Sequence, residues 1–238
     1  MVAPRVSVIL PTYNERENIV EIIPDINRIL ASIAHELIVV DDNSPDRTWE
    51  AAQNLNAPWT QVIRRVHDRG LRKSILEGIS ISRGEIVVWL DADYSQSPEL
   101  IPKLIEMVNS GNPICVASRY ITGGSMVSGV WRNLTSRALN HFARSLLTKK
   151  VTDYTTGFVA CRRIVAKQLG LRGGYGEYCI DFLWRAHRAG LCIAEIPYAY
   201  VPREKGKTKT FRSFSSFIRH GLVYSGTVLR LRLERNPK

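Results

Sequence analysis

Two aspartates separated by one small residue, Asp91-Ala92-Asp93, close the apolar run Ile-Val-Val-Trp-Leu at 86–90. In an extended chain residues i and i+2 point to the same side, so both carboxylates can face one ligand. Two such oxygens suit Mg²⁺ or Mn²⁺, which takes one or two carboxylates and completes its shell with substrate phosphate oxygens. The alternative is a pair of solvated aspartates opening the turn before Pro98; the apolar run weighs against it, because a buried acid needs a partner. Two further apolar runs end in polar residues: Pro11-Thr12-Tyr13-Asn14-Glu15 follows 6–10, and Asp41-Asp42-Asn43-Ser44 follows 37–40. Asp42 suits accepting hydrogen bonds from a base or ribose, or it caps a turn together with Asp41 and Ser44. Glu15 borders the same edge, or caps the helix it begins. Arg119, which closes the run at 114–117, is a candidate phosphate clamp or a member of a surface salt bridge.

Something must hold these residues together, and the apolar pattern says what. Short continuous apolar runs at 6–10, 37–40, 62–63, 86–90 and 114–117 read as buried strands. Helical spacing fills the gaps at 15–30, 48–55, 72–82 and after Pro98, with Gly84 as a stop. This alternation implies an α/β fold with a mainly parallel sheet covered on both faces by helices. Ligands of such sheets sit at the carboxyl ends of the strands, where the polar residues above are found. The second half is less regular: helices at 130–147 and 179–189, strands at 157–161 and 193–201, and a polar, basic loop at 203–210.

The chain has 238 residues and 45% hydrophobic content, enough for one large domain. Its net charge of +11 points to an anionic partner, whether nucleic acid, phosphorylated substrate or anionic membrane. Residues 201–238 hold ten Lys or Arg against two Glu and so carry most of that excess. The four cysteines form no C-x-x-C pair, so reduced, buried thiols in a cytosolic protein are expected. Neither a signal peptide nor a run of the roughly 20 apolar residues needed to span a membrane is expected. No G-x-G-x-x-G, no P-loop and no G-x-S-x-G elbow occurs, which weighs against a dehydrogenase, a P-loop NTPase and an α/β-hydrolase. No recognisable nucleic-acid motif accompanies the charge.

Taken together, the segments VSVILPTYNERENI (6–19), LIVVDDNSPDRT (37–48) and IVVWLDADYSQSPELIPKLI (86–105) resemble family 2 glycosyltransferases with the GT-A fold, above all the dolichol- or polyprenol-phosphate mannose synthases. The likeness continues through ASRYITGGS (117–125), TDYTTGFVACRR (152–163) and EIPYAYVPREKGKTK (195–209). The resemblance implies inverting transfer of mannose from GDP-mannose to dolichyl or polyprenyl phosphate, with UDP-glucose-dependent glucosyl transfer, or in another class a nucleic-acid-binding module, as alternatives. It implies that Pro11, Tyr13, Glu15, Val40 and Asp42 contact the nucleotide, that Asp91 and Ala92 border it, and that Asp93 holds Mg²⁺ or Mn²⁺ on the diphosphate. Arg119 would sit near sugar or phosphate, Arg132 at the acceptor phosphate, and Arg203 and Lys209 on a loop closing over phosphates. Asp91, Asp93 and Arg119 are thus the expected catalytic residues. The sequence departs from the family after the acidic triplet, where Tyr94-Ser95-Gln96 stands; Ser95 is the further metal ligand expected, with Gln96 beside it.

The expected organisation is a GT-A domain over 1–210, nucleotide-binding in 1–120 and acceptor-binding in 121–210, followed by a basic amphipathic segment at 211–238. In that segment Phe211, Phe214, Phe217, Ile218, Leu222 and Val223 fall at helical spacing. They predict a peripheral helix on the cytoplasmic side of an anionic membrane surface, or phenylalanines packed on the domain. A membrane partner subunit is compatible with the absence of a spanning segment.

Overall fold

The computed structural model describes the backbone of residues 4–203 and 214–234, and their side chains apart from 214–218. Lys209 and Phe211 lie outside the described residues. The elements in chain order are β1 (Val6–Thr12), α1 (Arg16–Ile29), β2 (His35–Asp41), α2 (Thr48–Asn54), β3 (Thr60–Arg64), α3 (Leu71–Ile81) and β4 (Ile86–Trp89). A 3₁₀ turn (Pro98–Leu100) leads into α4 (Ile101–Asn109), β5 (Ile114–Ser118), β6 (Ser125–Met126) and α5 (Val130–Leu146). Then follow β7 (Val159–Arg162), α6 (Arg163–Leu169), α7 (Tyr178–Arg188), β8 (Ile193–Pro197), β9 (Ala199–Tyr200) and α8 (Phe214–Leu233).

Seven strands form the central sheet in the order β3-β2-β1-β4-β7-β5-β8. All neighbouring pairs are parallel except those of β7, which runs antiparallel between β4 and β5. Alternation along each strand divides the core into two layers. Val6, Val8 and Leu10 of β1 meet Ile19, Ile22 and Ile26 of α1 and Leu104 of α4, while Ile9 faces Ile75 and Ile79 of α3. Trp89 of β4 meets Phe182 of α7 edge-on in the second layer, which also contains Val228 and Leu231 of α8. The described part of the C-terminal segment therefore shares the domain's core.

Two expectations from the sequence are corrected. The segment 193–201 is not one strand. It leaves the main sheet at Pro197, and Ala199–Tyr200 pairs instead with Ser125–Met126 in a separate two-stranded sheet. The apolar pattern cannot register this switch, because both pieces are half-buried and extended. The thiols are also not uniformly buried: Cys115, Cys161 and Cys179 are, but Cys192 is exposed. Burial pushes the Cys115 and Cys179 thiols up to about 12, so they stay protonated and offer no nucleophile at neutral pH.

The edge of the sheet remote from the strand ends is fixed by one carboxylate. Glu36 of β2 is fully buried. It accepts hydrogen bonds from Ser7 Oγ (2.6 Å), the Arg83 backbone N–H (2.7 Å) and Arg83 Nε (2.8 Å). Burial favours its neutral form, yet these donors outweigh burial and hold its carboxyl below the usual range. A depressed carboxyl stabilises the fold above its unfolded pKa, and that contribution is lost as pH falls through the folded value. The stability lost in Glu36→Gln should thus be largest near neutrality and shrink below pH ~4, as thermal melts across pH would record. Gly84 completes the same knot: a Cβ there would stand 2.6 Å from Ser7 N and 2.7 Å from Val6 C. It is more than a helix stop, because β1 backbone occupies the place of a side chain. Gly84→Ala should lower unfolding free energy by about 1–3 kcal/mol in denaturant titration.

Candidate active site

The carboxyl ends of β1, β2, β4 and β5 open into a cleft of about 1090 Å³. Pro11, Tyr13 and Glu15 reach it from β1, Asp42 from β2, Asp91, Ala92, Asp93 and Ser95 from β4, and Arg119 from β5. Arg132 of α5 and Arg203, three residues past β9, also line it. Val40 does not: it is fully buried in β2 between Pro11 of β1 and Ile63 of β3, in the layer that holds Ile9 and Ile38. The residues just past the strands thus stand on the cleft, while the side chain of Val40, which only the resemblance named, belongs to the core.

The acidic triplet does not continue β4 as an extended chain. It opens a turn in which Tyr94 adopts φ 58° and donates its hydroxyl to Asp25 at 2.8 Å. Gln96 locks the turn, accepting from the Asp91 backbone N–H at 2.9 Å and donating to the Thr156 carbonyl at 2.9 Å. Both ends of its amide are engaged, which leaves the Ser95 hydroxyl as the side chain of this pair not committed to the turn. Asp93 is buried; its Oδ1 accepts the Ser95 N–H at 3.0 Å. Its Oδ2 faces the Arg203 guanidinium at 2.6 Å, which also reaches Glu15 Oε1 at 3.3 Å. Glu15 is held in turn by Asn18 Nδ2 at 2.6 Å, and its backbone N–H by Thr48 Oγ1 at 2.9 Å. The carboxylates from the ends of β1 and β4 thus converge on one cation.

This donor set fits a divalent ion of the nucleotide-binding kind. Among the described residues no group of three or more His, Cys, Asp or Glu side chains gathers to make a protein-only cage. Mg²⁺ and Mn²⁺ do not need one when phosphate oxygens supply the rest of the shell. That Asp93 Oδ2 already receives a positive group shows the electrostatic demand of the position.

Asp42 turns out to be an organiser of the cleft wall. Its Oδ2 accepts the Gly70 N–H at 2.6 Å, and its Oδ1 accepts from Ser74 Oγ at 2.8 Å and Arg65 at 3.1 Å. Asp41 does the turn capping that the sequence left open, taking Ser44 N–H at 2.8 Å and Thr12 Oγ1 at 2.9 Å. Arg119 is no surface residue. It is 7% exposed and forms a bidentate pair with fully buried Asp153, 2.7 Å for each bond. Burial opposes the guanidinium charge, but Asp153 outweighs it and raises the Arg119 pKa further. Thr155 accepts from Arg119 at 2.8 Å, and Asn140 of α5 bonds both Thr155 Oγ1 and the Tyr154 N–H. Glu195 of β8 accepts the backbone N–H groups of Thr152 and Asp153, each at 3.0 Å. Arg119 is thereby a fixed post tying β5, α5 and β8 to the cleft.

Sequence reasoning missed Asp153, because it lies in an irregular loop and pairs 34 residues away. It also missed Tyr178, Tyr198 and Tyr224, which line the cleft from α7, the β8–β9 junction and α8. Each has its hydroxyl pKa raised by burial, so these phenols are neutral donors and not bases. No periodic signal links residues from three elements. Replacing Asp153 by Ala would strand the Arg119 charge in the interior and should cost about 3–5 kcal/mol in chemical denaturation.

Comparison with known proteins agrees with this geometry. The family model described as Glycosyl transferase family 2 matches residues 7–170. The chain is 35% identical over 221 residues to a dolichol-phosphate mannosyltransferase of Pyrococcus furiosus, covering 91% of this chain and 62% of that protein. It is 35% identical to a polyprenol monophosphomannose synthase of Mycolicibacterium smegmatis (86% of this chain, 80% of that one) and 33% identical to an undecaprenyl-phosphate mannosyltransferase of Micrococcus luteus (86% and 87%). Among solved structures, glucosyl-3-phosphoglycerate synthase of Mycobacterium tuberculosis, crystallised with Mn²⁺ and UDP, superposes with a TM-score of 0.75 over 98% of this chain and 82% of that one, at 21% identity. That likeness shows the GT-A fold.

Proposed function

The chain belongs to glycosyl transferase family 2, and on that basis we propose that it transfers mannose, with inversion, from GDP-mannose to a polyprenyl phosphate of the dolichyl type. The observation that carries this reading is the make-up of one cleft. Carboxylates at the ends of β1 and β4 sit opposite a cation in it, and arginines and apolar helix faces line the rest. A nucleoside diphosphate with a divalent ion suits the first, and a phosphate on a hydrocarbon chain suits the second. The names of the three mannosyltransferase relatives support the same substrates.

In this reading a phosphate oxygen of the acceptor attacks the anomeric carbon while the bond from that carbon to the diphosphate oxygen breaks, and GDP departs. The acceptor is already an anion, so no strong general base is required; the neutral tyrosines of the cleft are consistent with that. Bound Mg²⁺ or Mn²⁺, held by Asp93 with Ser95 beside it, would supply neutralisation of charge growing on the leaving diphosphate. Asp91, Ala92, Pro11 and Tyr13 shape the nucleotide end, and Asp42 positions the Gly70–Ser74 turn against it. Arg119 and Arg132 would face sugar or acceptor phosphate from the cleft lining, Arg132 being stacked 5.0 Å from the Tyr200 ring. Arg203 holds the same Asp93 carboxylate, and its charge would be drawn to phosphates entering the cleft. By the resemblance, Lys209 would meet the same phosphates. The enzyme would work at the cytoplasmic surface of a membrane as a peripheral protein, alone or with a membrane partner subunit; among the described residues no helix is long and apolar enough to cross one.

Asp93→Asn should abolish metal-dependent transfer and leave the thermal melt near wild type; wild-type turnover would remove Asp93 from the metal site. Nucleotide titration tests the donor: GDP is expected to bind more tightly than UDP, and the opposite order would overturn the mannose assignment.

A further inference from the structure

The ladder between β4 and β7 stops short of the acids that β4 delivers. The two strands pair antiparallel from Ile86↔Arg162 to Trp89↔Val159. On its other side β4 pairs with β1 as far as Ile9↔Trp89, and the next bond, from the Leu90 N–H to the Ile9 carbonyl, is stretched to 3.4 Å. Continued at the same register, the β4–β7 ladder would set Asp91 opposite Gly157 and Ala92 opposite Thr156. The strands part instead, and one side-chain amide occupies the fork. Gln96 is 2% exposed there. Its Oε1 accepts the Asp91 N–H and its Nε2 donates to the Thr156 carbonyl, each at 2.9 Å. A glutamine amide offers an acceptor and a donor as a peptide group does, so it satisfies both backbones as an inserted unit of sheet.

The far side of the fork belongs to Arg119. Thr156 follows Thr155, whose hydroxyl accepts from Arg119 Nη2 at 2.8 Å. Asp153, in the same loop, accepts the Arg119 backbone N–H at 3.1 Å as well as its guanidinium. The near side belongs to the acidic turn that contains Asp93. Two hydrogen bonds of one amide thus set the separation between the acidic turn and the loop that fixes Arg119. We propose that Gln96 is a positioning residue for the transfer: the span of its amide holds the carboxylates that meet the metal and diphosphate in register with the arginine that faces sugar or acceptor phosphate. A misplacement on the order of 1 Å between reacting groups costs ~100-fold in rate, and a shorter or apolar side chain at position 96 cannot hold both backbones. The inference rests on the proposed transfer for its purpose, and on the hydrogen bonds of the fork for its existence.

The test compares Gln96→Met, which keeps the volume and makes neither bond, with Gln96→His, whose neutral imidazole keeps one acceptor and one donor. Each full-length variant is assayed below its melting temperature with Mn²⁺, GDP-mannose and a short polyprenyl phosphate. Gln96→Met should lower kcat roughly tenfold or more while the KM for GDP-mannose moves by less than about threefold, and Gln96→His should recover most of kcat. A readout independent of turnover is the electron paramagnetic resonance of Mn²⁺ bound together with GDP or UDP, whichever binds more tightly. Binding should persist in Gln96→Met with an altered line shape. A Gln96→Met protein that melts lower but keeps the wild-type kcat and the wild-type Mn²⁺ spectrum would make Gln96 a support of the fold alone and overturn the proposal. Loss of Mn²⁺ binding in that variant would also overturn it, since Gln96 would then be a ligand. Should Gln96→Met not fold, Gln96→Asn takes its place in the same comparison, because it keeps the amide but is one methylene too short to reach both backbones. A wild-type protein that binds Mn²⁺ and nucleotide without transferring mannose would overturn the proposed reaction, and the Mn²⁺ spectra of wild type and variant would still decide the role of Gln96.

Discussion

The structure depends on one electrostatic constraint: carboxylates carried into the interior by buried strands and loops must each meet a positive or hydrogen-donating group. Glu36 meets Arg83 and Ser7, Asp42 meets Arg65 and the Gly70 N–H, and Asp153 meets Arg119. Asp181 of α7 meets Arg185 at 2.5 Å and Arg230 of α8 at 3.4 Å, which clips the last helix to the domain. The positive excess of the chain is therefore partly internal: several arginines are counterions of the fold, not a footprint for an external polyanion.

A further pairing lies in the cleft. Asp153, Glu36 and Asp181 are locked by several partners from the surrounding elements. Asp93 and Glu15 share one guanidinium, that of Arg203. Arg203 meets each of these acids with one contact, whereas Arg119 is buried and bidentate on Asp153. In the proposed reaction Arg119 is the rigid post, and Asp93 the position where a metal ion would take the place of a guanidinium. That combination suits the proposed reaction, in which positioning and charge neutralisation do most of the work.

The antiparallel β7 has its own consequence. It enters between β4 and β5 and is reached through the 153–157 loop, which supplies Asp153 to Arg119 and sets Thr155 and Thr156 on the cleft. The half of the sheet that carries the acids is thereby coupled to the half that carries Arg119. The Gln96–Thr156 hydrogen bond joins the two directly, so the turn after the acidic triplet is shaped by a loop 60 residues further along the chain.

The sequence by itself determined the α/β alternation, the first five strands and the strand ends at which Glu15, Asp42, Asp93 and Arg119 appear. It could do so because burial imposes a period on local residues, and turns after buried strands admit polar side chains. It also carried the family, since the motifs at 6–19, 37–48 and 86–105 are contiguous. Only the tertiary structure decided what each of these residues touches. Asp42 lines the cleft while bonding Gly70, Ser74 and Arg65, Arg119 pairs with Asp153, and Val40 lies in the core, while Arg203 reaches Asp93 from 110 positions away. The split of 193–201 into β8 and β9 and the neutral tyrosines around the cleft belong to the same class. Each depends on which distant groups meet in space, and a pairing across the fold leaves no periodic trace in the order of the residues.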